Sequence, residues 1–467
     1  MRGAEHDEGE MYRVITLSQR GTEVLVAPDG GRYRLPEVVI PRWQRVAENL
    51  TAAVRDEWGE EMICLFPPEC AATGRASSGI HYQVAEHWAT NGTPQSPTYW
   101  LPVSALSCDC FADQFDYSAL ERSVSEIRTQ AGGGSTGPFA CLGWFKELLE
   151  WIDDVIEPLG FHLNGKFRQL NASPAFSLFR IETNGPALWF KAVGEPNQRE
   201  FPLTLALAKL FPGYLPTILA ERQDWNGWLT QEIEGTHLSE TQESALWEAA
   251  ASALAELQIQ SIRCIDQILA AGAHDLRATT LSELVGPFVE IMASLMGRQT
   301  KVPPPILSRA ELAVLRKQVQ EAFEVLEDLN IPDSLGHLDL NPGNIIVPPD
   351  RCAFLDWAEA YVGNPFFSLQ YLLEHLRRAI GTNSTIETRL IELYCAQWKQ
   401  VIPPPAITEA LGLAPLLAVF AYAAGSNAWA DEQGLQDPGT AGYLRSLTRR
   451  MNREAHALAD RRSLCLQ

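Results

Sequence analysis

Basic side chains are scarce in this chain. Its 467 residues hold 37 Lys and Arg against 58 Asp and Glu, a formal net charge of −21. Nucleic acid and anionic membrane both demand a basic surface, so neither is expected as a partner. A cationic ligand suits the balance. Paired cysteines are lacking too. The nine Cys stand at irregular spacings, and Cys108-Asp109-Cys110 is the only close pair, with no second pair to complete a zinc set. That pattern fits a reducing, cytoplasmic setting. The first residues, Met1-Arg2-Gly3-Ala4-Glu5-His6-Asp7-Glu8, are acidic and polar where a signal peptide needs an apolar run. Residues 411–430 carry no charged side chain, yet Gly412, Pro415, Gly425, Ser426 and Asn427 interrupt them. A buried helix is expected there and not a membrane span.

Apolar residues make up 46% of the chain, enough for sizeable cores, and the length predicts two or three domains. The Gly- and Ser-rich stretch 129–138 reads as a flexible linker after an N-terminal unit of residues 1–128. From Phe139 to Ile156, Trp144, Leu148, Trp151, Ile152 and Val155 recur at helical spacing. Strands are expected at 166–170, 176–182 and 187–193, with Asn184-Gly185 as a tight turn, then a helix at 201–210 and a strand at 228–233. Helical patterns follow at 245–258, 281–296, 309–329, 366–379, 385–400 and 413–430. The second part is thus a small sheet lobe (139–233) followed by a large helical lobe (234–467).

Within that helical lobe stands Gly336-His337-Leu338-Asp339-Leu340-Asn341-Pro342-Gly343-Asn344, then Phe354-Leu355-Asp356-Trp357. An Asp, an Asn in the same loop and a second Asp, each beside a short apolar strand, are what phosphoryl transfer needs. One carboxylate orients the acceptor hydroxyl and takes its proton. An amide oxygen and the other carboxylate hold the magnesium that neutralises the nucleotide phosphates. The words resemble the aminoglycoside phosphotransferase family, protein-kinase-like small-molecule kinases whose motif reads His-Gly-Asp-Leu-His-Pro-Gly-Asn. Leu338, Asn341 and Asn364 depart from the family pattern, while Asp339, Asn344 and Asp356 keep it.

The resemblance implies an α+β, protein-kinase-like bilobal fold over about residues 139–460, with ATP or GTP and Mg2+ as cofactors. It implies catalysis by Asp339, with His337 as a buttress of the loop, and metal binding by Asn344 and Asp356. Lys191, alone in an apolar strand, would clamp phosphates, paired to Glu200 with Glu195 as the alternative. Ser173 and Ser177, in a loop without glycine, would donate to phosphate. Backbone groups at Gln231, Glu232 and Ile233 would meet the nucleotide base. The implied acceptor is a small molecule with a hydroxyl, such as an aminoglycoside, amino alcohol or sugar. Glu359, Glu374, Asp431 and Glu432 are candidates to face a cationic one. No Ala-Pro-Glu segment follows Asp356, which argues against protein substrates.

Residues 11–128 carry a second resemblance. Strands at 11–15, 22–27, 81–87 and 98–103, with helices at 42–58 and 117–127, resemble an α/β Nudix hydrolase domain. Its box is degenerate here. Arg55-Asp56 stands where Arg-Glu is expected and Gly59 arrives early, so Glu48, Asp56, Glu57, Glu60 and Glu61 do not share one helical face. A non-hydrolytic, regulatory module is expected. A nucleotide-binding protein without transfer, and a bifunctional hydrolase and kinase, are the alternative functions.

Overall fold

Short runs of buried apolar residues build the first two strands, and Gly21 and Gly30, both at positive φ, stand in the turns that follow them. The computed structural model describes residues 9–42, 44–68, 80–90, 97–130, 137–348, 351–381 and 384–465. Residues 1–8 and the linker core 131–136 lie outside these. The chain divides into two compact units, one holding Met1–Phe201 and Thr217–Glu232, the other Pro202–Pro216 and Ile233–Gln467.

The first unit opens with β1 (Glu10–Leu17), β2 (Glu23–Asp29), β3 (Arg32–Arg34) and β4 (Glu37–Ile40). Helix α1 (Val46–Trp58), β5 (Glu60–Phe66), β6 (Ile80–Thr90), β7 (Tyr99–Pro102) and α2 (Gln114–Gln130) follow. They make a mixed sheet of order β3-β2-β1-β6-β5, with β4 on β1 and β7 on β2. Only the β1–β6 pair is parallel among them. Helix α1 starts at Val46, later than the expected 42, and stops where Gly59 turns left-handed at φ 67° and returns its N–H to Arg55. Glu60 and Glu61 therefore lie on β5, a strand the periodicity did not reveal. Glu60 accepts from Thr90 Oγ1 at 2.7 Å and meets His87 Nε2 at 2.9 Å, while Glu61 faces Arg55 at 3.4 Å.

The same unit continues through α3 (Trp144–Ile156), β8 (Leu163–Ser173), β9 (Phe176–Thr183), β10 (Leu188–Ala192), β11 (Ile218–Arg222) and β12 (Gly227–Gln231), while α4 (Glu200–Leu210) has its first two residues in this unit and the rest in the second. The five strands form an antiparallel sheet of order β11-β12-β10-β9-β8. Helix α3 begins at Trp144 and not at Phe139, because Gly143 sits at φ 85° and breaks the turn before it. Asn184-Gly185 belongs to a four-residue loop in which Thr183 Oγ1 accepts from Gly185 N–H and donates to Pro186 O. One apolar core runs from Ile15 and Val84 through Leu120, Phe145 and Leu148 to Phe179 and Phe190. The Phe145 ring lies 5.0 Å from Trp88, 4.6 Å from Phe167 and 4.7 Å from Phe179. Residues on both sides of the Gly/Ser-rich stretch thus share one interior.

Glu86 on β6 is 2% exposed and accepts from Gly143 N–H at 2.9 Å, just ahead of α3. Burial pushes its carboxyl up from 4.5 to about 7. The folded chain keeps a proton there that the unfolded chain has released, so stability falls as pH rises between those values, by about 3 kcal/mol at most. Glu86→Gln is expected to remove that part of the slope and raise the melting temperature above pH 7. Urea titrations at pH 5 and 8 check it, and an equal pH slope in both proteins would refute it.

The second unit is mainly helical. It comprises β13 (Thr236–His237), α5 (Ser244–Ser261), α6 (Ile265–Ala270), β14 (His274–Leu276), α7 (Ala278–Gly297) and α8 (Arg309–Asp328). The short strands β15 (Ser334–His337), β16 (Ile345–Val347), β17 (Ala353–Phe354) and β18 (Ala360–Gly363) come next, then α9 (Phe366–Ile380), α10 (Ser384–Trp398), α11 (Pro404–Gly425) and α12 (Pro438–Cys465). Two three-stranded sheets, β13-β16-β17 and β14-β18-β15, sit among the helices. Helix α11 starts well before the expected 413, since prolines in a first turn lose no hydrogen bond. It is the one helix among the described residues long and apolar enough to cross a membrane, and 61% of its most apolar stretch is buried within the protein.

Candidate active site

The loop after β15 is held from within. Leu338 and Leu340 are buried at 1% and 0% exposure, so Asp339 between them is turned outward. Gly336 leaves room for Tyr361, since a Cβ there would lie 2.0 Å from the tyrosine ring. Buried His337 accepts the Asp339 N–H on Nδ1 at 3.1 Å. Its Nε2 therefore carries the proton and donates to Leu355 O at 3.0 Å. Burial holds its pKa below the usual imidazole value. A neutral ring spent on both nitrogens is a strut between the Asp339 loop and the strand leading to Asp356. It is not a proton acceptor for substrate.

Register brings the other two groups to the same end. Ile345 pairs with Phe354, and Leu355 N–H donates to Asn344 O at 2.8 Å. Asn344 Nδ2 donates to Asp339 O at 3.0 Å, which leaves its Oδ1 as a free-facing acceptor. Asp356 is exposed between buried Phe354 and Trp357, in left-handed backbone at φ 62°. Non-glycine residues hold that conformation at a cost of about 1–3 kcal/mol and cluster at functional sites. An amide oxygen and a carboxylate are hard oxygen donors of the kind magnesium takes. Asn341 completes the loop, accepting Gly343 N–H at 2.9 Å and directing Nδ2 to both Asp339 oxygens at 3.3 Å. Asn364 accepts Phe366 N–H at the start of α9, a structural bond.

In the first unit, Lys191 on β10 is 15% exposed and its Nζ lies 2.5 Å from Oε1 of Glu200, itself 2% exposed at the start of α4. The rings of Phe176 and Trp228 are each 5.8 Å from the ammonium. Glu195, the alternative partner, accepts from Gln198. The expected loop 169–177 is mostly strand, with only Pro174 and Ala175 as its turn. Ser173 pairs with Phe176 and accepts Ala175 N–H at 3.3 Å. Ser177 is a correction. Lys191 pairs with Leu178, so the neighbouring Ser177 points to the opposite face of the sheet, where it is 1% exposed. It cannot donate to phosphates held by Lys191. Two base-binding expectations shrink as well. Gln231 N–H donates to Thr217 and Glu232 N–H to Ala187, leaving Ile233 with no internal N–H partner among the described residues. The Glu232 carboxylate forms a fork with Arg180 at 2.7 and 2.8 Å, which holds it below the usual carboxylate range.

Three tyrosines on α9, α11 and α12 escaped sequence reasoning. Tyr371 on α9 and Tyr422 on α11 stand 5.5 Å apart, and Tyr443 on α12 donates its hydroxyl to Tyr422 at 3.0 Å. Burial first, then Tyr443 and the charges of Asp339 and Glu359, push the Tyr422 hydroxyl up. His375, one turn beyond Tyr371, is held below the ordinary histidine value by burial and Arg378, opposed by Asp339. The i, i+4 placement of Tyr371 and His375 on an apolar helix was the signal available. Of the four acidic candidates, Glu359 is 37% exposed, with His274 at 3.9 Å. Glu374 is engaged by Arg450, Arg378 and Gln370. Asp431 and Glu432 are exposed, and Asp431 accepts Gln433 N–H in a turn.

Residues 195–403 match the model of the phosphotransferase enzyme family. No curated relative matches the sequence. Among solved structures, the chain is similar to a macrolide 2′-phosphotransferase from Brachybacterium faecium, with 18% identity, 64% of this chain and 97% of that one covered, and a TM-score of 0.42. It is similar to choline kinase from Streptococcus pneumoniae, with 17% identity, coverages of 67% and 99%, and a TM-score of 0.43. A Plasmodium vivax ethanolamine kinase shares 14% identity over 71% and 94%, at 0.46. Similarity at this level does not transfer an acceptor from one protein to another.

Proposed function

We propose that the chain is a small-molecule phosphotransferase that moves the terminal phosphoryl group of ATP or GTP onto an acceptor hydroxyl. The observation that carries this reading is the double engagement of His337, which ties the Asp339 loop to the strand end bearing Asp356. Asp339, turned outward and oriented by Asn341, accepts the hydroxyl proton and aligns the nucleophile. Asn344 and Asp356 would hold magnesium, which supplies charge neutralisation at the nucleotide phosphates. Lys191, held in place by Glu200, binds phosphate oxygens.

The tyrosines and Glu359 favour a cationic acceptor, an amino alcohol or aminoglycoside, because aromatic faces and a carboxylate both attract ammonium. Under this reading 139–233 and 234–467 are the lobes of a protein-kinase-like fold. Residues 1–128, joined through 129–138, are a degenerate Nudix-like module with a regulatory part. The ties of Glu60 to His87 and Thr90, and of Glu61 to Arg55, support that degeneracy. A cytoplasmic setting belongs to the same proposal.

Titration of magnesium-ATP and magnesium-GTP against the whole chain tests the nucleotide side. Lys191→Ala and Asp356→Ala are each expected to weaken binding at least tenfold, roughly the 1.5–3 kcal/mol of a charge-assisted bond. Affinity in both variants equal to that of the unmodified chain would overturn the assignment.

A further inference from the structure

The end of the β8–β9 hairpin, residues 169–177, has no glycine, and the Gln169 side chain fastens it to the N-terminal sheet. Gln169 on β8 is 2% exposed. Its Oε1 accepts Cys64 N–H at 2.8 Å and its Nε2 donates to Cys64 O at 2.8 Å. The amide thus takes the part of a strand residue against β5, which is an edge of the N-terminal sheet, as β8 is of the second. Farther along β8, Ala172 packs against the cluster built around α1, and Arg168 lies 3.8 Å from Glu48. The hairpin end itself is not packed solid. A cavity of about 480 Å³ separates Gln44 and Arg45 from Asn171 and Phe176. The Phe176 ring is one of the two that lie beside Lys191.

We propose that Gln169 is a positioning residue, through which the N-terminal module sets the β8–β9 hairpin and hence the Phe176 wall beside Lys191. This rests on the phosphotransferase reading for its consequence and on the Gln169–Cys64 bonds for its mechanism. A glycine-rich loop adapts its backbone to phosphate. A hairpin end without glycine has to be held in one place, and the N-terminal module holds it.

The test uses the full chain. Gln169→Met keeps the volume and removes both bonds, leaving a buried N–H and C=O unpaired. Amide exchange over residues 171–178 is expected to speed up about tenfold, and magnesium-ATP affinity to fall by about the same factor. Gln169→Glu supplies a titratable mimic, because a neutral carboxyl offers one donor and one acceptor as the amide does. It is expected to behave like the unmodified chain near pH 5 and like Gln169→Met near pH 8, each compared with the unmodified chain at the same pH. A packing role alone gives no such pH reversal. If Gln169→Met does not fold, Gln169→Glu across the two pH values decides. Unchanged exchange at 171–178 together with affinity within twofold of the unmodified chain, or a pH-independent Gln169→Glu, overturns the proposal. If the unmodified chain binds neither ATP nor GTP, the phosphotransferase reading falls separately, and exchange at 171–178 still decides whether Gln169 holds the hairpin.

Discussion

Asp339→Ala is expected to lower phosphoryl transfer by roughly 10²–10⁴-fold while leaving magnesium-ATP affinity within about twofold. The size follows from its position. The carboxylate is the outward group of a loop whose backbone is pinned by Leu338 and Leu340 below and by His337 behind. Removing it takes away the proton acceptor and leaves those anchors, so the melting temperature should hardly move. Asn344 keeps its bond to the Asp339 carbonyl, a backbone atom the substitution spares. Nucleotide binding therefore stays. The measurement pairs single-turnover transfer to an acceptor found by screening hydroxyl compounds, cationic ones first, with calorimetric nucleotide titration. Turnover equal to that of the unmodified chain would remove Asp339 from the mechanism. A chain that binds nucleotide but transfers to none of the screened acceptors would favour the regulatory alternative.

The largest stability effect is expected at Asp116→Ala, a loss of about 3–5 kcal/mol in the first unit. Asp116 is fully buried at the start of α2. It accepts from Arg13 at 2.7 Å, from Tyr82 at 2.9 Å and from Leu35 N–H at 2.9 Å. Arg13 in turn reaches Asp113 at 2.6 Å and Glu37 at 3.1 Å, and side-chain bonds from these acids outweigh burial and raise its pKa. Removing one carboxylate strands a tyrosine hydroxyl, a backbone N–H and part of a guanidinium away from water. By contrast, the Lys146–Glu150 pair is 71% and 67% exposed, so a charge-deleting substitution there is the control with little effect. Urea unfolding compares the two. A change below about 1 kcal/mol at Asp116 would show that the network relaxes around the gap.

Legibility differed from place to place for physical reasons. The placement of Asp339, Asn344 and Asp356 was readable because its signal is local: buried leucines alternate with an outward acid, and a short hairpin returns the second acid to the first. Ser177 was misread because a strand has a period of two. One residue of offset from Leu178 moves a hydroxyl to the other face, and only the pairing with Lys191 tells which face that is. Strand β5 was missed because the short apolar run Met62–Phe66 has no periodicity that separates strand from buried helix. Tyr371, Tyr422 and Tyr443 stand on three different helices, so no spacing along the chain brings them together.

By itself, then, the sequence determined the loop and hairpin that carry Asp339, Asn344 and Asp356, the acidic balance, the helical character of the C-terminal part and the presence of a lone strand lysine. These depend on residue type and short spacing, which the chain carries along its length. Only the tertiary structure decided that residues on both sides of the Gly/Ser-rich stretch share a core, that Gln169 bonds Cys64, and that the backbone N–H groups of Gln231 and Glu232 are already spent. Each of these joins groups far apart in the chain or depends on strand register. Both are settled by packing, where a buried polar group must find whichever partner the fold places beside it.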